Sequence, residues 1–440
     1  MSSKFPTLAI EIIELIATFS EPADLRSLRL VCRELDRKTL NGFGRANFAT
    51  IQTNLSYKSL ERIRSIAESE HLAIHVQGLH VKNSPDGIIG QGFDWPRHSS
   101  GCLAENLNAA DLLRDLFSQR LLNCRSFLIY NYDEYQPRHD TDRLVPSDAV
   151  GLILSIVAEA DIALQSFTVQ GSHHGYGRLD TPRLQMPLSQ TPKFVKAWSQ
   201  IEELALDYAI TFDQWNWVLH LISSALKLRK LTLGFYEADK LFVERLSSLY
   251  ELNRLEELSL RLARVTVDAI TSLLLKNRDT LHSLSLQYTS LDNEGNWSTV
   301  FENMKGQLPQ LQSLVLFWLD QGTNNGRHVF SELLRYPVIP GSEVRGPTGR
   351  LKYESRRIES IADPVRLRYW GTRQLAAGVE YHGKEIDQVL SALIDTVEFP
   401  TQSRPFIFSR RSNISSSTKL GDSSFPAADE PNNVNAFPTC

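Results

Sequence analysis

Five segments of this chain repeat one apolar spacing, and that repetition restricts the fold more than any other feature. Ile201-Leu204-Leu206, Leu228-Leu231-Leu233, Leu255-Leu258-Leu260, Leu281-Leu284-Leu286 and Leu311-Leu314-Leu316 follow the pattern L-x-x-L-x-L, with starts 27, 27, 26 and 30 residues apart. Residues two apart share one face of an extended strand, so each closing L-x-L predicts a strand with one buried face. Each strand is followed by apolar residues at offsets of three and four. Trp215, Val218, Leu219 and Ile222 follow the first, and Leu241, Phe242, Leu246 and Leu249 the second. Val267, Ile270 and Leu274 follow the third, and Trp297, Val300, Phe301 and Met304 the fourth. That spacing lines one face of a helix. Strand and returning helix, repeated, predict an α/β solenoid with a parallel sheet on its concave side, helices outside and leucines between.

Weaker copies at Leu164-Phe167-Val169, Cys124-Phe127-Ile129 and Val76-Leu79-Val81 extend the array toward the N-terminus at intervals of 37 to 48 residues. The surplus chain, rich in Gly, Pro and polar residues, reads as insertions over 83–101 and 171–192 rather than as domain boundaries. Over roughly residues 70–335 the period and pattern resemble the leucine-rich-repeat family. That family carries Asn or Cys at the ninth repeat position to satisfy backbone groups in the turn. Ala209, Tyr236, Ala263, Thr289 and Leu319 stand there instead, so the turns need other partners and an irregular solenoid is expected.

Past Tyr336 the pattern stops. Arg345, Arg350, Lys352, Arg356, Arg357, Arg366, Arg368 and Arg373 make a locally basic stretch. Ile386, Val389, Leu390, Leu393, Ile394 and Val397 then mark an amphipathic helix. The end of a solenoid needs a cover, and 345–400 is expected to supply it as a capping segment. Residues 401–440, dominated by Ser, Asn and Pro, are expected to be disordered.

The first forty residues carry a second signal. Between Leu8 and Phe19, apolar residues occupy 8, 9, 10, 12, 13, 15, 16, 17 and 19, leaving Glu11, Glu14 and Thr18 as the polar side. At 100° per residue this apolar surface covers roughly 220°, about twice the stripe of an ordinary surface helix. Such a helix needs burial on two sides, which its own forty residues cannot provide. A second helix, opened by Ser20-Glu21-Pro22, presents Leu25, Leu28, Val31, Cys32 and Leu35 at helical spacing.

These stretches resemble the F-box. Leu8-Ala9-Ile10-Glu11-Ile12-Ile13 is similar to its opening LPxEIL, and Asp24 to Arg33 (DLRSLRLVCR) to its DLxxLRLVCR segment. Ala9 stands where the motif has Pro, and Leu35 where Trp is frequent. The match covers about Phe5 to Leu40, and an F-box over 5–45 is expected. Val365 to Gly371 and Val379 to Gly383 are similar to C-terminal segments of fungal-type F-box proteins with degenerate leucine-rich repeats. The resemblance implies a non-catalytic substrate receptor of a cullin–RING ubiquitin ligase. Leu8, Ala9, Ile12, Leu25, Leu28, Val31 and Cys32 would then face or support a Skp-type adaptor, and through it a cullin. The bland alternative is that Leu8 to Leu40 caps the first repeat.

For the repeats, the alternating positions Glu203, Ala205, Asp207; Lys230, Thr232, Gly234; Glu257, Ser259, Arg261; Ser283, Ser285, Gln287; and Ser313, Val315, Phe317 are expected on the concave side. With Tyr208, Phe235, Tyr288 and Trp318 at the strand ends, they give a candidate protein-substrate surface centred on Tyr208, Phe235, Arg261, Tyr288, Phe317 and Trp318. Five strands alone make a face of only about 380 Å², below the ~800 Å² of a standard interface. The weaker repeats and insertions must therefore contribute.

Composition narrows the alternatives. With 47 basic and 51 acidic side chains the net charge is −4, so no general nucleic-acid partner is expected. Glu343, Glu354, Glu359 and Asp363 dilute the basic stretch, leaving a nucleic-acid or anionic-lipid binder as a minor alternative beside a scaffold unattached to a ligase. Four scattered cysteines, no signal-like segment over Met1 to Pro6 and no apolar run near ~20 residues point to a cytoplasmic or nuclear chain outside membranes. GxSxG, HExxH and GxxxxGK[ST] are absent, so neither enzyme chemistry nor a cofactor is expected. His173-His174 lacks flanking ligands and reads as a solvated loop. The expected state is a monomer within a hetero-complex.

Overall fold

In-phase leucines build one continuous sheet. The computed structural model describes residues 5–83, 88–98, 101–104, 108–131, 143–171, 177–184, 189–235, 240–292, 295–321, 330–345, 351–358, 361–370 and 376–396. All of these lie in one compact unit, Met1–Gln402. The second unit, Ser403–Cys440, the tail over 401–440 expected to be disordered and His173-His174 lie outside the described residues.

Three helices come first: α1 (Ile10–Thr18), α2 (Pro22–Val31) and α3 (Arg33–Phe48). Strands β1 (Thr50–Thr53), β2 (Gly78–Val81), β3 (Ser126–Asn131), β4 (Ser166–Gly171), β5 (Glu203–Ile210), β6 (Lys230–Phe235) and β7 (Glu257–Arg261) follow. After them come β8 (Arg264–Val265), β9 (Ser283–Gln287), β10 (Ser290–Leu291), β11 (Ser313–Phe317) and β12 (Asp320–Gln321). Between the strands run α4 (Tyr57–Ala67), α5 (Glu70–Ala73), α6 (Asn108–Gln119), α7 (Pro146–Glu159), α8 (Pro192–Trp198), α9 (Trp215–Ser224), α10 (Lys240–Ser248), α11 (Val267–Lys276) and α12 (Trp297–Met304). The chain closes with β13 (Val344–Arg345), β14 (Leu351–Arg356), β15 (Val365–Trp370), β16 (Ala376–His382) and α13 (Ile386–Thr396). No helix among the described residues is long and apolar enough to cross a membrane.

Among the described residues the main sheet has thirteen strands, ordered β1-β2-β3-β4-β5-β6-β7-β9-β11-β16-β15-β14-β13. From β1 to β11 every neighbour is parallel. The repeat leucines pair in register: Leu204, Leu231, Leu258, Leu284 and Leu314 form one ladder. The weaker copies continue it as Phe167, Phe127 and Leu79, and β1, which the sequence reading did not single out, adds Ile51. All of these are buried. At roughly 1.5–3 kcal/mol per buried large apolar side chain, each rung contributes as a core residue would.

The turns after β7, β9 and β11, where no Asn or Cys stands at the ninth position, find partners in the backbone. Leu262, Tyr288 and Trp318 adopt left-handed φ values of 57°, 54° and 51° directly after β7, β9 and β11. The chain then pairs a second time in the small parallel sheet β12-β10-β8, where Ser290 N–H donates to the Ala263 carbonyl and Asp320 N–H to that of Thr289. Ala209, Ala263, Thr289 and Leu319 are buried; Tyr236 lies outside the described residues. An asparagine does serve this array, at another place. Buried Asn277 accepts from Leu255 N–H at 2.8 Å and donates to the carbonyls of Leu252 and Leu273.

The described parts of the two insertions pack into the fold. Ile89, Trp95, Leu179 and Leu184 join the core. Buried Asp148 accepts from Arg97 at 2.7 and 2.8 Å and from Arg183 at 3.1 Å, tying one insertion to the other. Beyond β11, the segment expected to cap the array holds helix α13 together with antiparallel strands that the sequence reading did not foresee. Its basic residues are partly neutralised there: Arg356 pairs with Glu354, and Arg366 and Arg368 with Glu380.

Candidate docking surfaces

Helix α1 turns its greasiest side outward. Its buried residues are Ile13 and Ala17, which face α3. At 100° per residue, Ile12, Leu15 and Phe19 fall within an arc of about 60° on the far side, and Leu8 precedes the helix across the extended Ala9 (ψ 149°). All four are exposed, Leu15 at 55% and Phe19 at 84%.

Polar bonds fix that orientation. Lys38 of α3 donates to the Leu8 carbonyl at 2.7 Å while pairing with Glu34 at 3.1 Å. Asn41 donates to Glu14 at 3.0 Å. A side chain at Gly42 would approach the Ala17 Cβ to 3.0 Å, so glycine there lets the two helices close up. These contacts fix which side of α1 lies against α3 and leave the apolar arc in solvent.

Helix α2 adds to the same end of the molecule. Pro22 opens it, and Arg29 fastens it to α3 by an ion pair to Asp36 at 2.6 Å and by lying 3.9 Å over the Phe43 ring. Leu30 (88% exposed) and Val31 (67%) end the helix uncovered. Cys32, extended at φ −162°, breaks the chain between α2 and α3.

Of the residues assigned to this surface by sequence, Leu8, Ala9, Ile12 and Val31 are exposed, and Leu28 and Cys32 are half-buried. Leu25 falls among the supporting members of that set. It is fully buried under α2 and can only support the surface from within. Leu15, Phe19 and Leu30 were missed, although the angular arithmetic over Leu8 and Ile12 points to Leu15 and Phe19.

The join to the sheet is tight. His75, after α5, packs against Gly44 of α3, where an added Cβ would lie 2.1 Å from the imidazole. Burial, and then the charge of Arg45, hold the His75 pKa below the ordinary 6.5.

The second candidate surface is the sheet face away from the helices. Its alternating positions lie outward as expected, half-buried or exposed except for Gly234 and Phe317. Tyr208 and Phe235 are corrections. Leu204-Leu206-Tyr208 and Leu231-Leu233-Phe235 keep strict period two, so both rings follow the leucines into the core. Tyr288 and Trp318 escape that alternation through their left-handed φ. They join Phe317 and Ala377 in an apolar cluster separate from the main core, with ring centroids 5.1–5.3 Å apart. Phe317 and Trp318 are themselves buried, leaving Tyr288 half-exposed. Arg261 reaches Asp207 at 2.7 Å across β6, where Gly234 has no side chain to intervene.

Cap residues not singled out as a site extend this face. In register with Phe317 come Gly378, Arg368 and Tyr353, and with Val315 come Glu380 and Arg366. Glu380 accepts from Arg368 at 2.9 Å. Burial raises its pKa, but the bonds from Arg368 and His382 outweigh that and hold it below the ordinary carboxylate value. The signal available in sequence was the alternation Val365-Arg366-Leu367-Arg368, which is that of a half-buried strand.

Compared with protein-family models and with curated proteins, the chain matches none.

Proposed function

We propose that this chain is a substrate-recognition subunit of a cullin–RING ubiquitin ligase. In this reading α1 and α2 dock a Skp-type adaptor and the open sheet face holds a protein substrate. The observation that carries it is the exposed stripe Leu8-Ile12-Leu15-Phe19 with Leu30 and Val31, held outward by Lys38 and Asn41. Leu8, Ile12, Leu15, Phe19, Leu30 and Val31 are all exposed large apolar side chains, and exposed apolar surface gathered in this way marks an interaction site. The similarity of the same residues to the F-box supplies the identity of the partner.

The two departures from that motif fall in different places. Leu35 is buried, so the change there concerns interior packing. Ala9 is exposed at the start of α1 with φ −57°, within the range that proline imposes. As a receptor the chain needs no catalytic group, because holding a substrate lysine near a loaded conjugating enzyme raises its effective concentration. The thirteen-stranded face, at ~4.8 Å per strand and ~16 Å of strand length, offers roughly 1,000 Å². That meets the ~800 Å² per partner of a standard interface.

The test is affinity purification with mass spectrometry, comparing wild type with Val31→Asp, an exposed position whose change leaves the core intact. Joint recovery of a Skp-type adaptor and a cullin with wild type only is expected. Equal recovery with both, or with neither, contradicts the proposal and leaves a scaffold unattached to a ligase.

A further inference from the structure

The open face carries a cation whose hydrogen-bonding capacity is unused. Arg366 on β15 is 40% exposed, and its guanidinium makes no hydrogen bond to any described residue. Its contacts there are a distant ion pair to Glu380 at 3.8 Å and the ring of Tyr353, over which it lies at 4.5 Å. Among the described residues, the carboxylate that pairs with it is already engaged: Glu380 accepts from Arg368 at 2.9 Å and lies 3.3 Å from His382. Among the described residues, Arg366 and Arg368 therefore share the Glu380 carboxylate, and this group carries a net positive charge.

The rest of the cluster positions this charge. Arg368 lies 5.5 Å from the rings of both Phe317 and Tyr353, reaching Phe317 across β16 at Gly378. A Cβ at Gly378 would fall 2.6 Å from the Phe317 ring, so only glycine keeps this crossing open. Stacking on Tyr353 pre-orients the planar fork of Arg366, which lowers the entropy lost when it binds an oxyanion in bidentate fashion.

We propose that Arg366, backed by Arg368 and Tyr353, is an anion anchor on the open face that receives a carboxylate or phosphate group on an acidic segment of the protein substrate. The inference rests on the substrate-receptor reading for the owner of that segment, while the anion site itself does not depend on the adaptor. Nearby Tyr288 adds a half-exposed aromatic edge for residues flanking the anchored group.

The experiment uses the full chain and three pools of degenerate fluorescent decapeptides whose fixed central residue is glutamate, phosphoserine or serine. Retention of the glutamate or phosphoserine pool about tenfold above the serine pool is expected, and the favoured pool identifies carboxylate or phosphate as the source. Arg366→Gln is expected to erase most of that preference without shifting the melting temperature. Equal retention of the three pools overturns the proposal, as does a preference that survives both Arg366→Gln and the double change with Arg368→Gln. No adaptor is present in this assay, so loss of the ligase reading, scored by adaptor recovery, is seen separately.

Discussion

His75 sits where the amino-terminal helices meet the sheet, and its ionisation works against that join. His80 on β2 is likewise held below the ordinary 6.5, by burial and then by the charge of Lys82. With both folded-state values depressed, the unfolded chain binds more protons in this range. The stabilisation is therefore complete above about pH 6.5 and is lost as pH falls through the folded-state values, by at most about 1.4 kcal/mol per pH unit for each histidine. His75→Gln is expected to flatten the fall in melting temperature between pH 7 and pH 5 but not abolish it, since His80 still titrates. A slope equal to that of wild type would refute this role for His75. Single residues were the least legible part of the sequence. Leu25 and Val31 look equivalent in the motif, yet one is buried and the other bare, because that depends on how α2 lies on α3. Tyr208 and Trp318 both follow a leucine strand, and only a left-handed φ, invisible in composition, diverts Trp318 from the core that takes Tyr208 into the separate cluster with Phe317 and Tyr288.

Helix α1 shows how an element can be readable in its needs while its solution stays hidden. Its apolar arc was evident from spacing alone, and so was the requirement for two covered sides. The side chains that choose which arc faces solvent, Lys38 and Asn41, are polar residues of α3 with no pattern to announce them. The start of the helix gives a direct check. Ala9 already has a proline-like φ, and its N–H donates to no described residue. Ala9→Pro is expected to be tolerated and to raise stability by about 0.4–1 kcal/mol through the unfolded state, and on the F-box reading to tighten adaptor binding as well. A destabilised protein in thermal melts would show that this segment does not adopt the described conformation.

On the scale of the molecule, the parallel array was the most legible feature, because in-phase leucines at a fixed period have few other ways to be buried. Even the weak repeats at Phe127 and Phe167 fell into register. The antiparallel cap was not foreseen. Its strands alternate arginine with Val365, Leu367 and Val379, and the charge obscured the period. The cap and the amino-terminal helices lie toward opposite ends of the strand order, with the open face running between them. This arrangement separates the two proposed surfaces, so each can be altered without touching the other. The central claim is that α1 and α2 present their apolar stripe to another polypeptide. Calorimetric titration of a purified Skp-type adaptor into the full chain tests it most directly, using wild type and Phe19→Asp. The account predicts saturable one-to-one binding by wild type and a loss of at least tenfold in affinity for the variant at unchanged melting temperature. No heat of binding with wild type, or equal affinity for both proteins, would contradict it.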